Sequence, residues 1–494
     1  MKKIIKFLLI LMVCSVLLFP LAASGNSETS NSTTSTTTTV TTTVNDTTEE
    51  SITDSANISV HKMEISIDDA DWAALLAAPV DEEWYSADAT YDGETASDVA
   101  FRTKGNSTLT SVANSDSERY SFKIKTDKYE DDQTINDMNE IVLNSCYADA
   151  SYLREYLTYQ ASEDLGLITP ETEFTELYIN GELYGLYLYV ESYDDTFMAE
   201  NTTTDTAVLY KADGENCSLT EADTLDGFEV KEGDDDNFDN LKALQTALNS
   251  GDYDQIESVL DTDSVLKWAA LSYFTGNYDS YLGSKAHNYY LIYDSGQFEM
   301  VGWDYNMSFG TFPQDNGNSL KLTTDNIFMD TTAEERPLVS VLLENDEYQA
   351  KFDSYVEQLE NWFAPYESAI SKMSSTLYSY VENDPTAFFT IDEFTENTTA
   401  SDLTLDDIQT SSMSSERMQP PMGDEELTDE QMSNLPPMGD QQMGNLPPMG
   451  GQRGPQAGQA DDNMMQGPGQ GIGNNQNSSI SIVDFIRLRL AGLK

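Results

Sequence analysis

The period of the hydrophobic pattern changes along this chain, and that change constrains the fold more than any single motif. The segments "VAFRTKG", "YSFKIKTD", "EFTELYING" and "LYGLYLYVES" alternate apolar with polar residues, the two-residue period of half-buried strands. "NGELYG" joins the last two, and Asn180-Gly181 supplies the positive backbone angles of a tight hairpin. One helix stands among them, "DASYLREYLTYQASEDLG", with Asp149 or Ser151 as cap, Leu153 and Leu157 on one face and Gly166 as stop. Further on the spacing turns helical, in "DNLKALQTALNS", "YDQIESVL", "DSVLKWAALSYFTG", "RPLVSVLLEN" and "YQAKFDSYVEQLENWFAPYESAISKMSSTL". Strands first and helices later predict an α+β fold with a small sheet lobe and a larger helical lobe.

The patterned region is flanked by stretches of other character. Residues 1–24 carry Lys2, Lys3 and Lys6, then an apolar run and the small-residue exit "LAASG", which reads as a secretory signal cut near Ser24. A retained membrane anchor is the other reading of that run. No later segment is apolar enough to span a bilayer, so an exported protein with no stable span is expected. Residues 25–56 are Ser/Thr-rich with little to bury, which predicts a disordered stalk. Residues 411–479 hold "QPPMGD", "LPPMGD" and "LPPMGG" among Gly, Gln and Asn, too irregular for a solenoid and expected to be a disordered insertion. The chain ends in an amphipathic helix over 480–494, with Ile482, Phe485, Ile486, Leu488 and Leu490. A helix beyond such an insertion predicts that the domain at 57–410 needs its last element and tolerates a long loop before it.

The formal net charge is −62, and losing the three signal lysines takes it to −65. Phosphates would be repelled, so nucleic acid is excluded as a partner, while cations and basic proteins are favoured. Outside the signal only Cys146 and Cys217 remain; they make no zinc pattern, and whether they pair is open.

Four clusters bear groups capable of chemistry, each with a plain structural reading beside it. In "FRTKGNSTL" a strand ends in Lys104, Gly105, Asn106 and Ser107, offering backbone amides, hydroxyls and a cation to a phosphate; a hairpin turn explains it too. In "SFKIKTD", Lys123 and Lys125 share a strand face, suited to phosphate oxygens or simply solvated. Arg154 and Glu155 follow on a helix, where Glu155 either holds one of those lysines or is a surface carboxylate. Finally, "GNYDSYLGSKAHNYYLIYD" and "MVGWDYNMSFG" place Asp279 in a polar loop, Asn288 at the start of a hairpin and Asp304 at its end. Hard oxygen donors from Asn288 and Asp304 suit magnesium or manganese, and Asp279 is a carboxylate able to accept a hydroxyl proton. His287 reads as a hydrogen-bonded histidine rather than a ligand, since a single histidine offers no zinc set.

A Gly loop with hydroxyls, a strand lysine, a helix glutamate, a hairpin, an Asp-to-Asn loop and a strand-terminal Asp come in the order protein kinases use. With "FRTKGNST", "RYSFKIKTD", "LNSCYADASYLREYLTYQ", "LYINGELYGLYLYVES", "LYKAD" and "WDYNMSFG", the chain resembles the spore coat protein H (CotH) kinase family over most of residues 58–410 and the C-terminal helix. The resemblance implies an atypical two-lobed kinase fold that uses ATP with Mg2+ or Mn2+ to phosphorylate Ser or Thr of an extracellular, cell-surface or spore-coat protein. By resemblance Asp279 is the catalytic-loop aspartate, Asn288 and Asp304 hold the metal, and Lys123 or Lys125 faces phosphate with Glu155 as partner. Adenine would be read near residues 187–195. Tyr305-Asn306 follows Asp304, so the usual Phe-Gly switch is not implied. The acidic surface points to a basic substrate, and the Ser/Thr-rich stalk to self-phosphorylation. The rival readings are an inactive kinase-like scaffold and an acidic carbohydrate-binding module on a stalk.

Overall fold

A computed structural model describes residues 51–312, 327–328, 331–404 and 480–492. The expected signal, most of the expected stalk and the expected insertion lie outside the described residues.

The strand-patterned half folds as β1 (Val60–Ile67), β2 (Tyr85–Tyr91), β3 (Glu94–Lys104), β4 (Ser121–Lys125), β5 (Glu140–Asn144), β6 (Thr172–Ile179) and β7 (Glu182–Glu191). These strands close into a barrel in the order β1-β2-β3-β4-β5-β7-β6. Closure comes from β1 and β6, which pair in parallel, and it leaves the sheet without open edges. The alternation seen in the sequence sends Phe101, Phe122, Ile124, Ile141 and Leu143 inward against Met63, Ile65, Leu177 and Tyr187. Between β6 and β7 the expected hairpin is present, with φ of 52° at Asn180 and 83° at Gly181.

A second sheet has the order β11-β10-β8-β9, built from β8 (Val208–Ala212), β9 (Phe228–Glu232), β10 (Tyr289–Asp294) and β11 (Gln297–Gly302). The sequence pattern announces the β10–β11 hairpin but not β8 and β9, which are five residues each with a register shift between them.

Five helices matter most here: α1 (Arg154–Asp164), α2 (Thr262–Thr275), α3 (Asp346–Phe363), α4 (Tyr366–Glu382) and α5 (Ile482–Gly492). Burial on all faces marks α2 as a core helix, with Trp268, Leu271 and Phe274 wholly enclosed. The long apolar run at 348–377 is two helices, because Pro365 lacks the N–H to continue the first and instead precedes the second. The main core joins α1 to α5 with one face of the second sheet, so the expected α+β class holds.

One expectation needs correction, and the open question of the cysteines is answered. Ordered chain begins inside the expected stalk: Ser51 caps a helical turn at Ile52–Ser55, Ile52 is buried, and Tyr156 Oη donates to Ser55 O at 2.9 Å. Cys146 and Cys217 are both buried and unpaired with each other. The barrel is also tied to the segment after α4. Arg119, fully buried, donates through Nη1 to both Asp384 oxygens at 3.0 and 2.8 Å and through Nε to Ser145 O at 2.8 Å.

Candidate active site

Three elements bring a lysine, an amide and a glutamate together. Lys104 is the last residue of β3, Asn144 the last of β5, and Glu155 lies in the first turn of α1. Lys104 Nζ donates to Asn144 Oδ1 at 3.1 Å, and Asn144 Nδ2 donates to the two Glu155 oxygens at 3.0 and 3.1 Å. A carboxamide can do this because it accepts at one end and donates at the other. Burial disfavours the charged form of Glu155, Asp304 adds repulsion, and its pKa is pushed up to about 8. Burial also holds the Lys104 amine below its ordinary range, against the pull of Asp304 and Glu155. The Lys104 amine lies 5.6 Å above the Trp303 ring, next to Asp304.

The second sheet delivers the other half. Tyr289 pairs with Gly302, and Trp303 N donates to Asn288 O at 3.2 Å, so the hairpin sets Asn288 beside the approach to Asp304. Both take left-handed backbone, φ 55° at Asn288 and 57° at Asp304, a conformation short polar side chains tolerate. The peptide N–H of Asp304 donates to Tyr159 Oη of α1 at 3.2 Å. Asn288 Nδ2 donates to Asp279 O at 2.8 Å and lies 3.4 Å from Asp279 Oδ2. His287 Nε2 is 2.8 Å from Asp279 Oδ1. Burial raises the Asp304 carboxyl, Lys104 opposes the shift, and Asp279 reinforces it. The charges that act on Asp304 are thus Lys104, Asp279, His287 and Lys211, so the two halves form one electrostatic cluster.

Other residues singled out in the sequence lie differently. Gly105 and Ser107 are exposed just past β3, and Ser107 opens the short helix Ser107–Ala113. On β4, Lys123 Nζ is 2.5 Å from Glu140 Oε2, while Lys125 Nζ is 3.5 Å from Glu140 Oε1 and 3.6 Å from Asp127. Glu140 also accepts from Ser192 Oγ at 2.8 Å, in the segment expected to read adenine. Glu155 has Asn144, not a β4 lysine, as its hydrogen-bond partner. Asn144, Lys211 and Tyr159 were not anticipated. Asn144 had a signal: a carboxamide closing the apolar run of "EIVLN", as Asp304 closes its own strand.

Among the described residues no three of His, Cys, Asp and Glu converge as a self-sufficient metal site. The donor set fits a cation that brings its own remaining ligands. Magnesium uses one or two protein oxygens and completes its shell with water and phosphate. With the Asn288 amide nitrogen engaged by Asp279, its carbonyl oxygen and the Asp304 carboxylate are the hard donors that remain.

Fold and site together define an α+β protein whose closed barrel and second sheet concentrate lysine and carboxylate side chains in one half-buried cluster. Residues 101–411, more than half of the chain, match the family described as CotH kinase protein, and the chain belongs to that family. The family's name points to a kinase lineage. Inner spore coat protein H of Bacillus subtilis (strain 168) is 32% identical over 192 residues, covering 36% of this chain and 52% of that protein. Invasin CotH2 of Rhizopus delemar is 20% identical over 251 residues, covering 46% of this chain and 41% of that protein. The chain therefore spans about half or less of the length of these curated relatives. A HipA, HipB and operator DNA complex of Shewanella oneidensis MR-1 aligns at 12% identity over 56% of this chain and 60% of that chain, with a TM-score of 0.18. No helix among the described residues is long and apolar enough to cross a membrane.

Proposed function

We propose that this chain is an exported, two-lobed, metal-dependent protein kinase that transfers the γ-phosphate of ATP to Ser or Thr of a surface or coat protein. The observation that carries the reading is the convergence of Lys104, Glu155, Asp279 and Asp304 through one set of mutual charges. Phosphoryl transfer asks little covalent work of a protein and depends on positioning and charge stabilisation, which such a cluster supplies.

In this reading Lys104, rather than Lys123 or Lys125, faces the phosphates, because its amine shares Asn144 with Glu155 while the other two pair with Glu140. Asn288 and Asp304 would hold the divalent cation, which would neutralise charge on the transferring group. Asp279 orients the substrate hydroxyl and accepts its proton, with His287 fixing the carboxylate at 2.8 Å. A net charge of −62 would steer a basic substrate to the surface. The spore coat and invasin names of the two relatives support the same location, as does the signal read at residues 1–24.

The test is labelled phosphate transfer from ATP by residues 25–494, with magnesium and with manganese, to a basic substrate and to the chain itself, beside Asp304→Ala. Label with wild type and none with Asp304→Ala is the expected result. A folded wild type that binds nucleotide with metal yet transfers no label would leave the inactive-scaffold reading instead.

A further inference from the structure

The helix α5 lies beyond the segment matched to the family, yet it touches all three elements that carry the working residues. At its entry, Ile480 O accepts from Arg154 Nη2 at 2.8 Å, and Arg154 directly precedes Glu155. The other arm of that guanidinium donates to Phe309 O at 2.6 Å and Ser308 O at 3.2 Å, on the stretch that follows Asp304. In mid-helix, Phe485 meets the Phe309 ring edge-on with centroids 5.7 Å apart. Gly310 comes so close that an added Cβ would sit 3.0 Å from Ile480 Cγ2 and 3.1 Å from Phe485 Cδ2, and its φ of 77° suits glycine. Near the helix end, Arg489 Nη2 donates to Tyr273 O at 2.8 Å, in the last turn of α2 that leads to Asp279. Phe309 N closes the circuit by donating to Thr275 O at 2.6 Å.

A buried guanidinium is tolerated where its fork of donors is satisfied. Arg154 is fully enclosed, and its two terminal nitrogens donate to carbonyls from two separate segments, while Nε has only an ion-pair contact to Asp149 Oδ1 at 3.3 Å and no hydrogen bond. Neither segment can shift without stranding a donor that also anchors the helix of Glu155.

We propose that Arg154 is a positioning residue and α5 its keystone, together setting the spacing of Glu155, Asp304 and Asp279. The functional weight of this role rests on the kinase reading; the coupling of the three segments does not.

Hydrogen exchange on the full chain tests it, comparing wild type with Phe485→Ala, Arg154→Lys and Val99→Ala. Lysine keeps the charge but lacks the planar fork, and Val99 belongs to the barrel core. Both Phe485→Ala and Arg154→Lys are expected to lose protection at 154–158, 273–279 and 304–311 while β2 to β4 keep theirs. Magnesium-dependent binding of a fluorescent ATP analogue should weaken in the same two variants. The Val99→Ala control should loosen the barrel and leave those three segments protected. Loss confined to 480–492, or the same pattern in all three variants, would overturn the proposal. A wild type that transfers no phosphate would overturn the kinase reading alone, with the exchange pattern still deciding the positioning role.

Discussion

Lys104 and Glu155 are joined through Asn144 and not to each other, with 3.1 Å from the amine to the carboxamide and 3.0 Å from the carboxamide to the carboxylate. The carboxamide stands between the amine and the carboxyl group, accepting from one and donating to the other.

Asn144→Ala should strand the buried Glu155 carboxyl and the half-buried Lys104 amine together, at a cost of about 1–3 kcal/mol in stability. Above pH about 8, where Glu155 is ionised, Asn144→Asp should cost more, because it sets a second carboxylate against it. Thermal melting of both variants checks this, and two unchanged transitions would remove Asn144 from the cluster.

The pKa of Glu155 is raised from 4.5 to about 8, so the folded protein holds this proton more tightly than the unfolded chain. Its contribution to stability is complete below the unfolded value and is lost as pH rises through about 8. Glu155→Gln should therefore gain stability relative to wild type across the window from 4.5 to about 8. Paired melts at several pH values measure the difference, and a constant offset would contradict the shift.

Asp304 is a half-buried carboxylate with its pKa raised, a position that costs the fold rather than supporting it. Asp304→Asn is expected to melt no lower than wild type in the absence of metal while losing phosphate transfer by orders of magnitude, at least ~1000-fold. A large loss of stability would show that the carboxylate is structural.

His287 touches Asp279 at 2.8 Å. His287→Ala should lower transfer by about 10–100-fold, the usual cost of losing an outer partner, with nucleotide affinity nearly unchanged. Equal losses in kcat and affinity would place His287 in nucleotide binding instead.

Asp384→Ala leaves Arg119 buried and unpaired, which should cost about 3–5 kcal/mol by denaturant unfolding. The site should keep its nucleotide affinity at temperatures where the fold holds. Gly185→Ala should destabilise too, since a Cβ there would sit 2.4 Å from Arg119 Nη1.

The barrel strands β3, β4, β6 and β7, the hairpin at Asn180-Gly181 and the helices from α1 to α5 were legible because each reports a local periodicity that one face of a core imposes, whereas β2 and β5 were not read as strands. The β8–β9 pair was not, since five-residue strands are too short to show a period. Likewise the residue types at the site were legible: Asp279, Asn288 and Asp304 interrupt apolar runs where burial would otherwise exclude them. Which lysine joins them was not. Lys104, Lys123 and Lys125 all sit on strand ends or faces, and sequence spacing cannot tell which face of a closed barrel looks toward α1.

By itself, then, the sequence determined the longer strands and helices, the acidic net charge and the set of polar groups near the strand ends, all of which follow from properties of neighbouring residues. Tertiary structure decided the pairings: Lys104 with Asn144 and Glu155, Lys123 with Glu140, and Arg154 with carbonyls at Ser308, Phe309 and Ile480. The reason is distance along the chain. These contacts join residues on different elements, in the case of Arg154 from opposite ends of the domain, and only packing around a common core brings such groups within hydrogen-bond reach.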